Sequence, residues 1–243
     1  MKLIEADHDR RLEIQGVSGL VRRPVDIDAS KTGFTDLRSL RIYRFDAGGV
    51  VKGHAEDDEV FLVVMTGSVE LQISWGPANE FSKMCKLTAP CAAQNDPFVA
   101  YLPPHSGYEL TVLTEADIAY ARANTEEIRS PRVFHAGNVE AGEEMSELFQ
   151  DDTHSVRMRL RYMQVNAKRK ALKFELAGGD GVAAETLIQV RTEPADCAAN
   201  LIVPGNQPMS VSSWDTVALS KGESADLEVA EGSAVTILMV SAV

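Results

Sequence analysis

Gly48 to Leu71 reads GGVVKGHAEDDEVFLVVMTGSVEL. The segment sets one histidine and four acids within six residues, His54 to Glu59, then an apolar run from Val60 to Met65 and a glycine at Gly67. A short apolar run bounded by polar and turn residues reads as a buried strand. Ser68–Trp75 (SVELQISW) alternates as its hairpin partner across Thr66-Gly67. The acidic cluster has two readings. An imidazole beside carboxylates can ligate a divalent cation, or the run is the solvated start of the strand. Alternation puts His54 and Glu56 on one face and Glu59 on the other, unless the Asp57-Asp58 turn kinks the chain.

The same period-2 pattern extends in both directions. Leu40–Phe45 (LRIYRF) puts Leu40, Ile42 and Arg44 on one face. Further strands are predicted at Phe98–Leu102, Tyr108–Thr114, Asp117–Ala123, Ser155–Val165, Lys170–Leu176, Glu185–Arg191, Val217–Leu219, Ala225–Ala230 and Ala234–Val240. Pro77–Pro97 reads as a loop rich in small residues, His135–Thr153 as an acidic connector, and Val139–Phe149 as a modest helix with Met145, Leu148 and Phe149 on one side. Many short strands with turn signals between them predict an all-β protein of barrel or sandwich type. A shift of 117 residues lays Phe98–Ala123 on Asp215–Val240 without a gap, and the parity of the apolar positions survives: Leu110 meets Leu227, Val112 meets Val229, Tyr120 meets Ile237. Two units of one kind in tandem explain that repeat.

Bulk properties narrow the function. The 243 residues suffice for one large all-β domain or two of about 120. A formal charge of −12 argues against nucleic acid and anionic membranes as partners, since both select a basic face. No apolar run approaches the ~18 residues of a membrane span. Met1–Arg11 is polar, without the apolar core of a targeting signal. Three cysteines, Cys85, Cys91 and Cys197, form an odd and sparse set that fits a reducing, cytoplasmic compartment. Phosphate-binding glycine loops, nucleophile elbows and HExxH pairs are missing from the sequence.

Gly48-x5-His54, the acidic turn, Glu59, the apolar strand and Gly67 resemble the first cupin motif. Tyr101-Leu-Pro-Pro-His-Ser-Gly-Tyr108 resembles the second, and Trp214–Gly222 with Leu227-Glu-Val looks like the closing strands of another cupin. Val25-Asp-Ile-Asp28, Gly33-Phe34, Leu40–Phe45 and the seven residues between Glu59 and Gly67 make the chain similar to the 5-deoxy-glucuronate isomerases of inositol catabolism. Those are bicupins related to the uronate ketol-isomerases of pectin breakdown. The resemblance spans Val21–Ala123 and the last thirty residues.

The resemblance implies two tandem double-stranded β-helix barrels, 1–128 and 129–243, with the connector at 129–154, assembled as a homodimer. It implies a small sugar acid as ligand, aldose–ketose exchange as chemistry, and one divalent metal (Mn, Fe, Ni or Zn), or none if the site is degenerate. On the positions that match, His54, Glu59 and His105 are the candidate metal ligands, Glu56 and Tyr108 the acid–base groups, and Arg41 or Arg44 the carboxylate clamp. Only one of those two arginines can face inward, because their separation is odd. The departures are specific. Glu56 stands at a histidine position, Tyr108 at another, and His105 where a glycine is usual. The family's metal-binding histidines lie chiefly in the C-terminal barrel, and this chain has no histidine after His154. The expectation is family membership with altered or lost isomerase activity; the alternative is a non-catalytic binding or structural bicupin.

Overall fold

The computed structural model describes residues 1–90, 96–136, 145–151, 155–167, 171–177, 184–193, 199–203 and 207–243. Their strands form four antiparallel sheets, two from each half of the chain. In the N-terminal half a seven-stranded sheet runs Arg132–His135, Pro97–Leu102, Asp58–Val64, Ala116–Asn124, Leu37–Phe45, Leu20–Asp28, Arg11–Glu13. It faces a four-stranded sheet ordered Val50–His54, Gly107–Val112, Ser68–Trp75, Phe81–Thr88. In the C-terminal half a six-stranded sheet runs Lys2–Ile4, Thr216–Leu219, Glu185–Glu193, Ala234–Ala242, Met158–Asn166, Met145–Asp151, and its four-stranded partner is Leu172–Ala177, Ser224–Val229, Ala199–Ile202, Met209–Val211. These are two tandem cupin barrels, each a pair of facing sheets. The first strand, Lys2–Ile4, belongs to the second barrel's sheet, where it pairs with Thr216–Leu219.

The 117-residue repeat is structural. Gly107–Val112 and Ser224–Val229 are equivalent strands at that spacing. In each barrel the large sheet keeps the same strand order: Pro97–Leu102, Asp58–Val64, Ala116–Asn124, Leu37–Phe45 in one, and Thr216–Leu219, Glu185–Glu193, Ala234–Ala242, Met158–Asn166 in the other.

Three sequence expectations are corrected. Ser68–Trp75 is not the hairpin partner of Asp58–Val64: the chain crosses from one sheet to the other at Thr66-Gly67, Asp58–Val64 pairing with Pro97–Leu102 and Ala116–Asn124, and Ser68–Trp75 with Gly107–Val112 and Phe81–Thr88. Phe81–Thr88, placed in a loop, is an edge strand paired along its length with Ser68–Trp75. Phe81 and Met84 are exposed there, on opposite faces, so the residues show no inside–outside alternation. The helix expected over Val139–Phe149 is not one where it is described: Met145–Asp151 is a strand, and 139–144 lie outside the described residues. Among the described residues the helices are a single turn, Ala29–Thr32, and a 3-10 turn, Pro77–Asn79. No helix among them is long and apolar enough to cross a membrane.

Three cores follow from alternation. One fills the N-terminal barrel, with Leu62, Val64, Leu71, Ile73, Leu110 and Ile118. Another fills the C-terminal barrel, with Ile188, Val190, Leu219, Leu227 and Ile237. The third lies between the two large sheets, joining Leu40, Ile42, Phe61 and Val63 to Leu160, Tyr162, Leu187, Leu238 and Val240. Each large sheet therefore buries both faces, and its central strands read as continuous apolar runs: every residue of Asp58–Val64 is buried.

Polar groups lock this interface reciprocally. The buried Glu59 carboxylate accepts hydrogen bonds from the backbone N–H groups of Val156, Arg157 and Met158 at 2.8, 2.8 and 2.7 Å. The Tyr101 hydroxyl also donates to it at 3.3 Å. From the other side, Glu185 accepts from the N–H groups of Thr35, Asp36 and Leu37 at 2.8, 2.7 and 2.9 Å. Each barrel thus supplies a carboxylate from the start of a central strand to the chain entering the other barrel's sheet. Arg44 and Arg191, one from each barrel, both lie over the Trp214 ring, at 5.9 and 5.0 Å from its centroid.

Candidate functional site

Parity decides what reaches the interior of the first barrel. On Leu37–Phe45 the residues turned toward its cavity are Ser39, Arg41, Tyr43 and Phe45, while Leu40 and Ile42 pack between the barrels. On Ala116–Asn124 the inward residues are Tyr120 and Arg122. Tyr120 stands directly across from Arg41, and Arg122 from Ser39. On the facing sheet, Tyr108 pairs with Gly53 and His54 with Gly107. Both glycines make room for side chains from the neighbouring strands, Gly53 the more strictly. A Cβ on Gly53 would fall 2.5 Å from Tyr108 Cζ, so the phenol ring lies across the strand in the space a side chain would occupy. A Cβ on Gly107 would come 2.8 Å from Ser74 Oγ and 3.3 Å from the His54 ring.

These residues enclose a cavity of about 270 Å³, the space of about nine waters. Its lining carries Arg41, Lys52, Arg122 and His54 against a single carboxylate, Glu13. The protein is acidic overall, but this pocket is locally basic. Carboxylates hold the guanidiniums in place. Arg41 Nε bonds Asp26 at 3.1 Å. Arg122 Nε lies 3.0 Å from Asp58 Oδ2, and its Nη2 donates to the Ala55 carbonyl at 2.6 Å.

Three phenols complete the wall. Tyr43 and Tyr120 meet edge to face at 5.5 Å, and Tyr108 and Tyr120 lie 6.0 Å apart. Burial pushes the Tyr108 phenol up. Burial, with Tyr108 and Tyr43 beside it, holds Tyr120 well above the ordinary tyrosine range. Raised phenols remain protonated across the neutral range, so both act as hydrogen-bond donors there and not as bases.

The structure divides the candidate residues. His54, Tyr108 and Arg41 line the cavity. Arg44 does not: it forms a two-point pair with Asp117, at 2.7 and 2.9 Å, on the side facing the second barrel. Glu59 is turned the same way and is fully engaged by backbone amides. Glu56 is exposed, at the tip of a turn with φ 55°. His105 is exposed too, and its φ of 62° is the left-handed conformation of the glycine it replaces. Its nearest acid is Asp57, at 3.6 Å. His54, Glu59 and His105 therefore do not converge, and among the described residues no three His, Cys, Asp or Glu side chains could hold one ion. The donor set does not fit the metal that the cupin motifs imply. Tyr43, Tyr120 and Arg122 are cavity residues not singled out from the sequence. Their signal is the alternation itself, polar groups at every second position of strands whose other face is apolar.

Comparison with known proteins agrees with this architecture. Residues 19–147 match the KduI/IolB family. The chain belongs to that family. No curated protein sequence matches it. An IolB-like protein from Salmonella typhimurium superposes with a TM-score of 0.70 at 16% identity, over 96% of this chain and 92% of that one. An oxalate decarboxylase from Bacillus subtilis gives 0.72 at 8% identity, over 98% and 76%. A putative glyoxylate-induced protein from Pseudomonas aeruginosa gives 0.66 at 12%, over 96% and 84%. At such identities the likeness to these structures is one of fold. The KduI/IolB match makes the protein a sugar-isomerase-like cupin.

Proposed function

We propose that this member of the KduI/IolB family binds a small sugar acid in the cavity of its N-terminal barrel, with isomerase activity altered or lost. The observation that carries the reading is the lining itself: Arg41, Arg122, His54 and protonated phenols around a small cavity in an otherwise acidic protein. Guanidinium groups fixed from behind by Asp26 and Asp58 are preorganised to take a carboxylate. Tyrosine hydroxyls suit the acceptor oxygens of a sugar.

Aldose–ketose exchange requires a base to remove the proton next to the carbonyl, and donors to stabilise the enediolate oxygen. Among the lining side chains His54 is the imidazole able to take that proton. Tyr108, held over Gly53 on the strand next to His54, is a donor on the same wall. Glu56, at the tip of its exposed turn, lies outside this arrangement, and none of the steps is assigned to a metal because the donors for one do not converge.

The test is ligand-induced thermal stabilisation and calorimetric binding with D-glucuronate, beside neutral D-glucose, together with an assay for ketose formation. Glucuronate should raise Tm and glucose should not. Arg41→Met should weaken glucuronate binding by about 10- to 100-fold, the worth of a charge-assisted hydrogen bond. Unliganded stability should change by less than about 1 kcal/mol, since a partly exposed ion pair contributes little and Asp26 keeps Arg23 at 3.0 Å. Equal stabilisation by both sugars would remove the carboxylate from the reading.

A further inference from the structure

Tyr120 sits on the floor of this cavity, on a central strand, and only 8% of its surface is exposed. Its hydroxyl is buried and has no hydrogen-bond partner among the described residues. A buried hydroxyl without a partner is costly, and native proteins seldom leave one so. Its surroundings explain how it comes to be alone. Cross-strand, Tyr120 faces Leu62 on one side and Arg41 on the other. Leu62 offers no acceptor, a guanidinium is a donor only, and the Tyr108 hydroxyl, the one acceptor beside it, is not in hydrogen-bond geometry. The Tyr43 ring meets it edge to face, at 5.5 Å between centroids. The hydroxyl and the guanidinium are thus two donors side by side on one wall; Asp26 takes the guanidinium at Nε, and the hydroxyl has no acceptor.

We infer that Tyr120 is a specificity-determining residue of the cavity, its hydroxyl donating to an acidic or carbonyl oxygen of a bound sugar acid whose carboxylate is held by the neighbouring Arg41. The inference rests on the ligand reading of the cavity and adds the atom that selects the ligand. An acceptor-rich edge, as in a carboxylate next to a carbonyl or hydroxyl oxygen, satisfies both donors at once. A ligand presenting apolar surface there leaves them unpaired, which is the stronger form of discrimination. The second barrel has no counterpart: the equivalent cross-strand pair is Ile237 opposite Met163.

Tyr120→Phe tests this because it removes one oxygen and keeps the ring. The Kd for D-glucuronate, measured by calorimetry, should rise about tenfold. The Tm of the unliganded protein should stay within about 2 °C of wild type or rise, because the oxygen removed has no partner in the fold. A clear fall in unliganded Tm would overturn the inference by making the hydroxyl structural. An unchanged Kd in the variant would overturn it while leaving the ligand reading intact. Failure of the wild-type protein to bind glucuronate would overturn both.

Discussion

The two barrels share a strand order and differ in what their strands turn inward. By register, the positions of Arg41, Tyr43, Tyr120 and Arg122 in the first correspond to Met163, Val165, Ile237 and Met239 in the second. The 117-residue repeat sets Ala225 at the place of Tyr108. All five replacements are buried in the apolar core of the second barrel. One interior turns guanidiniums and phenols toward a cavity, with the exposed His54 at its rim; the corresponding described residues of the other are hydrocarbon. Polar groups facing an unfilled cavity cost stability, and apolar groups that pack together supply it. On the proposed reading the second barrel is scaffold and the first binds the ligand. That division is unexpected for a family resemblance in which the metal-binding histidines lie chiefly in the C-terminal barrel.

The largest expected effect comes from placing the first barrel's chemistry in the second. Met163 is 4% exposed and sits in the closed core. Met163→Arg should destabilise the protein by about 4 kcal/mol or more, because it puts a long charged side chain where a methionine is packed in an apolar core. Urea denaturation followed by fluorescence measures it. A loss under about 1 kcal/mol would mean that the second interior also admits polar groups and solvent, and the contrast between the barrels would fail.

Next in size is the seam, where the barrels are alike. Glu59→Ala leaves three backbone N–H groups of the second barrel without an acceptor, and Glu185→Ala leaves three of the first. Each should cost about 3 kcal/mol, which lowers Tm by about 6–12 °C at this chain length. The two losses should be similar, since the latches are reciprocal. Metal analysis of Glu59→Ala beside wild type separates this role from ligation. A ligand would change the metal content and a latch changes the melting temperature.

What the sequence disclosed, and what it withheld, follows from the same geometry. Alternation and the gapless repeat exposed both barrels, because a one-residue slip would turn a whole strand inside out and so the phase is conserved wherever both faces are buried. It also revealed that Arg41 and Arg44 could not both face inward and that Glu59 stood out of phase with His54. Which face was the interior could not be read, because the interface between the barrels is as apolar as the cores. Glu59, a motif position, therefore looked like a ligand when it is a latch. Within the helix expected over Val139–Phe149, the residues from Met145 form a strand whose period of two is broken by a bulge between Glu147 and Phe149, which inserts an extra residue. Tyr120 and Arg122 escaped notice because no short motif contains them. They become a site only when Ala116–Asn124 is paired with Leu37–Phe45.

The smallest expected effect belongs to the residue that most resembled a ligand. His105 occupies a glycine position with φ 62°, its N–H donates to the Glu56 carbonyl at 2.6 Å, and its ring is exposed. A left-handed conformation costs an L-residue about 1–2 kcal/mol, which glycine would relieve. Glycine also gives the unfolded chain more freedom, which takes back about 0.5–1 kcal/mol. His105→Gly should therefore alter stability by no more than about 1 kcal/mol, with a net gain the more natural sign, and should leave glucuronate binding unchanged. Loss of binding or of bound metal in this variant would bring the second motif back into the site. Silence would fix the boundary of the functional surface between Tyr108, whose ring is held inside by Gly53, and the outward turn three residues before it.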